Sequence, residues 1–318
     1  MENMKLSNKK CIFKSAGFYT FFFIWFLSFK IQAQNNRIDN LEEFSMELYL
    51  TKNYEKILKD VEPMIENNKS SNKINQIIGY SKIELNKFKE GIEWINEKVT
   101  NKIYMDDLYL GKGYLGIGSD SLALMYFEKA APLDTNNNVY SLIHDVRYKQ
   151  KRYADAAKAG LGSIDWKRKK NQTVGSGDFF KVAMDYYLTS AYMDRSDTIV
   201  RPAMAMKADS MFAKAIEIND KWPPFYINRA RANNFIDYTG TKWLGAPYYE
   251  KFLASIEQQK NEKNSTYKLD LNHTFEAFKY LGGYYNSKVK DTAKAKEYFL
   301  NALQIKPNDP DIKAALSN

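Results

Sequence analysis

Cysteine is nearly missing from this 318-residue chain: the single one, Cys11, lies in a basic and apolar leader. Residues 34–318 therefore exclude disulfides, cysteine-ligated zinc and thiol catalysis, and packing alone must hold them together. Histidine is almost as scarce, with only His144 and His273, neither of which has a second ligand or base three or four residues away. Each is expected as an ordinary helix-surface or capping side chain. No H-E-x-x-H, G-x-S-x-G or P-loop sequence occurs, so the reading is a non-enzyme with no cofactor, no metal and no catalytic residue. Long hydrophobic runs are also lacking. The longest, Phe18 to Phe29, falls well short of the roughly twenty residues that cross a bilayer.

That short run sits behind Lys5, Lys9, Lys10 and Lys14 and ahead of Ile31-Gln32-Ala33. Positive charge, a brief apolar core and a small residue at the cut describe a secretory signal peptide over 1–33, with cleavage expected after Ala33. Cys11 follows Asn8, Lys9 and Lys10 where a lipid-attachment signal would carry small apolar residues, so lipid anchoring is not expected. Cleavage would lower the formal net charge from +9 to +5, because the leader holds five lysines against Glu2. Nucleic-acid binding then loses its compositional support, and no transmembrane anchor is expected after cleavage. The chain is expected to be exported, to the periplasm or outer-membrane surroundings or beyond the cell. What remains is 34–318, rich in Tyr and Phe and suited to a helical, water-exposed protein.

One pattern recurs along it. Residues 275–309 carry Phe278, Leu281, Gly282, Tyr285, Ala295, Phe299, Ala302 and Pro307, and 104–137 carry Leu110, Gly111, Tyr114, Ala123, Phe127 and Ala130 at nearly the same offsets. Small residues where two helices meet and bulky ones in the gaps between them are what a close-packed hairpin requires. The later copy fits only if one residue is inserted near Lys288 to Thr292. Both stretches resemble the tetratricopeptide repeat, a helix-turn-helix unit of about 34 residues. Weaker copies fall at 38–71, 72–103, 138–170, 178–220 and 222–260. The resemblance implies an all-α fold: a right-handed superhelical solenoid of about seven antiparallel helical hairpins over 34–318. Three stretches interrupt the spacing, near 166–178, 194–203 and 237–246, and are expected as insertions in loops. The leader ending Ala33-Gln34 and the Asn, Lys, Ile and Tyr-rich composition resemble exported Bacteroidetes proteins.

Several local sequences compete with this reading. Gly111-Lys112-Gly113-Tyr114-Leu115-Gly116 spells a dinucleotide fingerprint, yet that motif works only between a strand and a helix. Here Gly111 and Tyr114 hold repeat positions inside a helix, so close packing and helix termination near Gly116 and Gly118 account for the glycines. Lys167-Arg168-Lys169-Lys170 beside Trp166 is expected as a solvated loop. Asp120-Ser121, Asp197-Thr198, Asp209-Ser210 and Asp291-Thr292 resemble short O-glycosylation acceptors, with 197 and 291 in expected turns. Asp309 caps a final helix starting at Pro310, short enough that self-association through the C-terminal end is an expectation.

In tetratricopeptide families the first helix of each hairpin lines a concave groove. Carried onto this chain, that implies groove candidates Tyr109, Lys112, Lys181, Asp185, Asn228, Arg231, Lys279 and Tyr280. Mixed aromatic and charged rows suit a peptide or helix from a protein partner. The Lys and Asn set that clamps a C-terminal carboxylate is absent. The expected function is a non-catalytic protein–protein interaction module or scaffold in the bacterial envelope. The alternative is carbohydrate or small-ligand capture at the outer membrane, with Trp166, Trp222, Trp243 and Tyr248 stacking on sugars.

Overall fold

The computed structural model describes residues 38–65, 70–262 and 265–317. The expected signal peptide and its cut after Ala33 lie outside the described residues. Every regular element among the described residues is a helix, and they divide into two compact units between Asp134 and Thr135.

The first unit opens with α1 over 38–50. Next comes α2, which begins at Tyr54–Lys56 and continues as a π-helical turn at Ile57–Val61 and a 3-10 turn at Glu62–Met64. Then follow α3 (Asn72–Glu84), α4 (Phe88–Lys98), α5 (Tyr104–Gly116) and α6 (Asp120–Ala130). Its first two hairpins close on the same device. After α1 the amide of Asn53 donates to the carbonyl of Leu48 around a left-handed Lys52 (φ 58°), and after α3 Lys87 donates to Lys82 around Asn86 (φ 60°). After α5 Ser119 donates to Tyr114 around Gly118 (φ 80°). This six-to-one bond with a left-handed residue is the Schellman stop, and only one of the three uses the glycine that would announce it.

The second unit contains α7 (Val139–Lys149), α8 (Tyr153–Lys169), α9 (Ser176–Tyr192) and α10 (Val200–Ile218). It continues with α11 (Pro223–Ile236), α12 (Ala246–Asn261), α13 (Leu271–Tyr284), α14 (Thr292–Ile305) and α15 (Pro310–Ser317). The hairpin α7–α8 repeats the stop, with Arg152 donating to Arg147 around Lys151. Within this unit consecutive helices pack on one another, and its core clusters draw on neighbouring hairpins.

The glycine–aromatic pairing read from sequence is visible in both well-matched hairpins. A Cβ on Gly111 would stand 2.5 Å from the Phe127 ring, and one on Gly282 would stand 2.5 Å from Phe299. Gly79 meets Ile95 in the same way. Phe127 is fully buried, a burden of apolar surface worth about 2–3 kcal/mol. Gly113 and Gly116 are packing glycines too, set against Ile83, Ile92 and Phe88, so all three glycines of the apparent fingerprint serve helix contacts.

The inserted residue of the last well-matched repeat appears as a π-helical turn over Tyr285–Val289, ended by left-handed Lys290. One extra residue inside a helix widens its hydrogen bonds from i→i−4 to i→i−5, and this keeps the flanking stripes in phase. The basic run differs from expectation: α8 extends to Lys169, so Lys167, Arg168 and Lys169 form its last turn rather than a loop. Lys167 is paired with Asp178 and Arg168 with Asp165, and cations at a helix C-terminus also oppose its dipole.

Candidate functional site

The most developed polar surface lies in the second unit, where α11, α12 and α13 and the end of α14 enclose an open depression of about 530 Å³. Its lining is Asn234, Tyr249, Asn272, Phe275, Glu276, Lys279, Tyr280 and Lys306. Beside it Arg231 of α11 grips Glu276 of α13, Nε at 3.0 Å from Oε1 and an NH2 group at 2.6 Å from Oε2. The Tyr249 hydroxyl donates to the same carboxylate at 2.7 Å and accepts from the Asn234 amide at 3.1 Å. Burial alone would lower the Arg231 pKa, but the hydrogen bonds and charge of Glu276 outweigh it and raise it. Burial, then the Glu276 charge, pushes the Tyr249 phenol far up, so this ring is a neutral donor at any physiological pH. The result is a rigid floor that ties three helices together.

Aromatic walls rise from that floor. Tyr280 lies 4.5 Å from Tyr249 and 5.1 Å from Trp243, centroid to centroid, and burial pushes its phenol up to about 12. Trp243 is held there by the buried Asp237, whose carboxylate accepts from the amides of Lys242 and Trp243. The expected insertion at 237–246 is thus an ordered turn that lays an indole edge against α13.

Each groove candidate has a definite place. Arg231, Lys279 and Tyr280 come together around the depression, with the Lys279 ammonium bonded to Asp309 and Asp311. Asn228 is buried on α11, donating to the Pro224 carbonyl, 3.4 Å from Arg231. Lys181 is exposed and pairs with Asp145. Asp185 is a correction, being 1% exposed with one carboxylate oxygen on His144, so burial withholds it from a partner. Tyr109 corrects similarly. It is 5% exposed, stacked at 4.1 Å on Tyr80 and joined hydroxyl to hydroxyl with Tyr49 at 2.6 Å. Lys112 lies over that Tyr109 ring and pairs with Glu84. Tyr109 and Lys112 belong to the first unit and Arg231 to the second.

His144 also departs from expectation, since it is a core residue and not a surface one. Its Nε2 lies 2.8 Å from Asp185 and its Nδ1 3.0 Å from Asp145. Burial raises the Asp185 pKa against the opposing pull of His144. The partner lies 41 residues away, beyond the reach of a local motif search. Other polar groups missed by the sequence reading follow the same rule. Buried Asp106 accepts from Gln76, Tyr80 and the Ile103 amide, and Glu276 lies 45 residues from Arg231. These separations run from 26 to 45 residues, so the pairs join helices of neighbouring hairpins and escape a local motif search.

The aromatic residues of the sugar-binding alternative do not form one platform. Trp222 meets Tyr267 edge-on, Trp243 packs on Tyr280, and Tyr248 lies under the Arg229 guanidinium. Trp166 is half-buried near the end of α8.

No protein-family model and no curated protein matches this chain. Among solved structures it is similar to the C-terminal part of a TPR repeat-containing protein from Cytophaga hutchinsonii, at 25% identity and a TM-score of 0.53. The match covers 86% of this chain and 99% of that one. YrrB, described as a TPR protein with an unusual peptide-binding site, is 15% identical with a TM-score of 0.44, covering 73% of this chain and 98% of its own. That likeness is too distant to carry an argument. Together with the helical hairpins, the Cytophaga match shows an all-helical solenoid fold of the tetratricopeptide-repeat kind.

Proposed function

We propose that this protein is a non-catalytic interaction module that binds a peptide or helix of a protein partner, and that it works in the bacterial envelope. The observation that carries the binding reading is the depression on α11–α14: a rigid ionic floor, aromatic walls, and two lysines, Lys279 of α13 and Lys306 at the end of α14. Such a surface offers shape and directional donors without a nucleophile or base poised at a reacting atom. The likeness to a TPR repeat-containing protein of Cytophaga hutchinsonii is in keeping with an interaction role. Export rests on the leader before Gln34, and the Bacteroidetes setting rests on composition. The sugar-capture reading is less favoured because Trp222, Trp243 and Tyr248 are each engaged within the chain.

The test is affinity capture from envelope extract of the source organism with wild-type protein and the double variant Lys279→Ala, Tyr280→Ala, after circular dichroism shows equal helix content. The expected result is a protein retained by wild type and lost by the variant. Retention of the same protein by both would remove this surface from the binding account.

A further inference from the structure

Most polar groups around the depression already have partners. Arg231, Glu276, Tyr249 and the Asn234 amide form the floor, and Lys279 is engaged by Asp309 and Asp311. Two lining side chains differ. Lys306 lies with its ammonium 4.3 Å from the centre of the Phe275 ring and has no carboxylate partner among the described residues. Asn272, exposed in the first turn of α13, makes no side-chain hydrogen bond among the described residues. Arg231, Lys279 and Lys306 face Glu276, Asp309 and Asp311, so the set sums to zero and exerts little long-range pull on an anion. Selectivity must come from contact, where an ammonium with free donors favours a charged acceptor.

Resting on the peptide-binding reading above, we infer that the depression selects an acidic side chain within an extended peptide, its carboxylate at Lys306 and Asn272 and an adjoining apolar side chain on the half-buried Tyr280. The commitment is to an internal Asp or Glu, not to a chain terminus. A terminus would bring a carboxylate on a free end and call for an enclosed stop, whereas this depression is open to solvent. A neutral Gln or Asn of the same shape could reach the ammonium but would lack the charge-assisted bond, worth about fivefold to tenfold in affinity.

The experiment is enrichment of peptides by immobilised full-length protein from an equimolar degenerate decapeptide library, acetylated and amidated at its ends, with a central Leu-Glu or Leu-Gln. A parallel library carries a free C-terminal carboxylate. Wild type and Lys296→Gln, an exposed control on α14, are expected to enrich Glu over Gln by about fivefold to tenfold, and Lys306→Gln to reduce that ratio to about one. Binding of the blocked peptides with no Glu preference would overturn this inference and leave the peptide-binding reading standing. Enrichment only from the free-carboxylate library would overturn the internal-side-chain commitment. Enrichment from neither library would overturn both the inference and the reading beneath it.

Discussion

A single missing carbon decides how closely the helices of a hairpin approach. Gly282 has Phe299 where its Cβ would be, and Gly111 has Phe127. Gly282→Ala or Gly111→Ala is therefore expected to lower stability by about 1–3 kcal/mol, read as a lower urea midpoint, since the buried ring must leave its place. Gly177→Ala is the control: nothing lies within 4 Å of its added Cβ, and in the first turn of α9 it should be neutral or stabilising by up to about 1 kcal/mol. At this scale the sequence was most informative, because Gly111, Ala123, Phe127 and Gly282, Ala295, Phe299 are steric requirements that only certain residues meet. The polar contacts were opaque. Asp185 and Tyr109 read as surface candidates, yet the partners that bury them, His144 and Tyr80, lie 41 and 29 positions away, and no local rule relates them.

At the scale of elements, turn chemistry hid the boundaries. Lys52, Asn86, Lys151 and Lys290 take left-handed conformations that favour glycine, so the hairpin stops do not advertise themselves. The end of α15 depends on another small device. The ammonium of Lys279 bridges Asp309 and Asp311, and Ile312 plugs the cluster of Phe275 and Phe299. Burial acts to raise the Asp309 pKa, but the Lys279 bond and backbone amides outweigh it, and the folded value falls below 3.8. Lys279 is raised above 10.5, chiefly by its bond to Asp311. A depressed carboxylate contributes stability above its unfolded pKa and loses it as pH falls through the folded value; a raised ammonium contributes below its unfolded pKa and loses it as pH rises through the folded one. The latch should therefore hold across the neutral range and open at both extremes. Hydrogen exchange at the Ile312 amide, which donates to Asp309, should accelerate selectively in Lys279→Met at pH 7. Unchanged exchange would mean that Ile312 packing alone holds α15.

For the whole molecule, consecutive packing has an energetic consequence. In a solenoid each hairpin is stabilised by its neighbours, so damage spreads only as far as nearest-neighbour coupling carries it. Phe299→Ala, which empties a buried ring site between α13 and α14, is expected to cost about 3–5 kcal/mol locally. Hydrogen exchange should then show faster opening in α13–α15 while α3–α6 keep their wild-type protection. Uniform loss of protection would contradict this repeat-wise stability. The architecture was legible because seven stretches share one apolar spacing, whereas the depression was only half legible. Arg231, Lys279 and Tyr280 were named from repeat offsets, but Glu276, Tyr249, Asn272 and Lys306 emerge only when two hairpins are assembled.

The central claim is that a partner polypeptide sits on that assembled surface. The most direct measurement is photo-crosslinking in the source organism, with a benzophenone side chain placed at Asn272, in the depression, or at Lys296, exposed on α14 and outside its lining. The account predicts a discrete adduct with one protein from position 272 and none of that mass from 296. The same adduct from both positions, or from 296 alone, would contradict it.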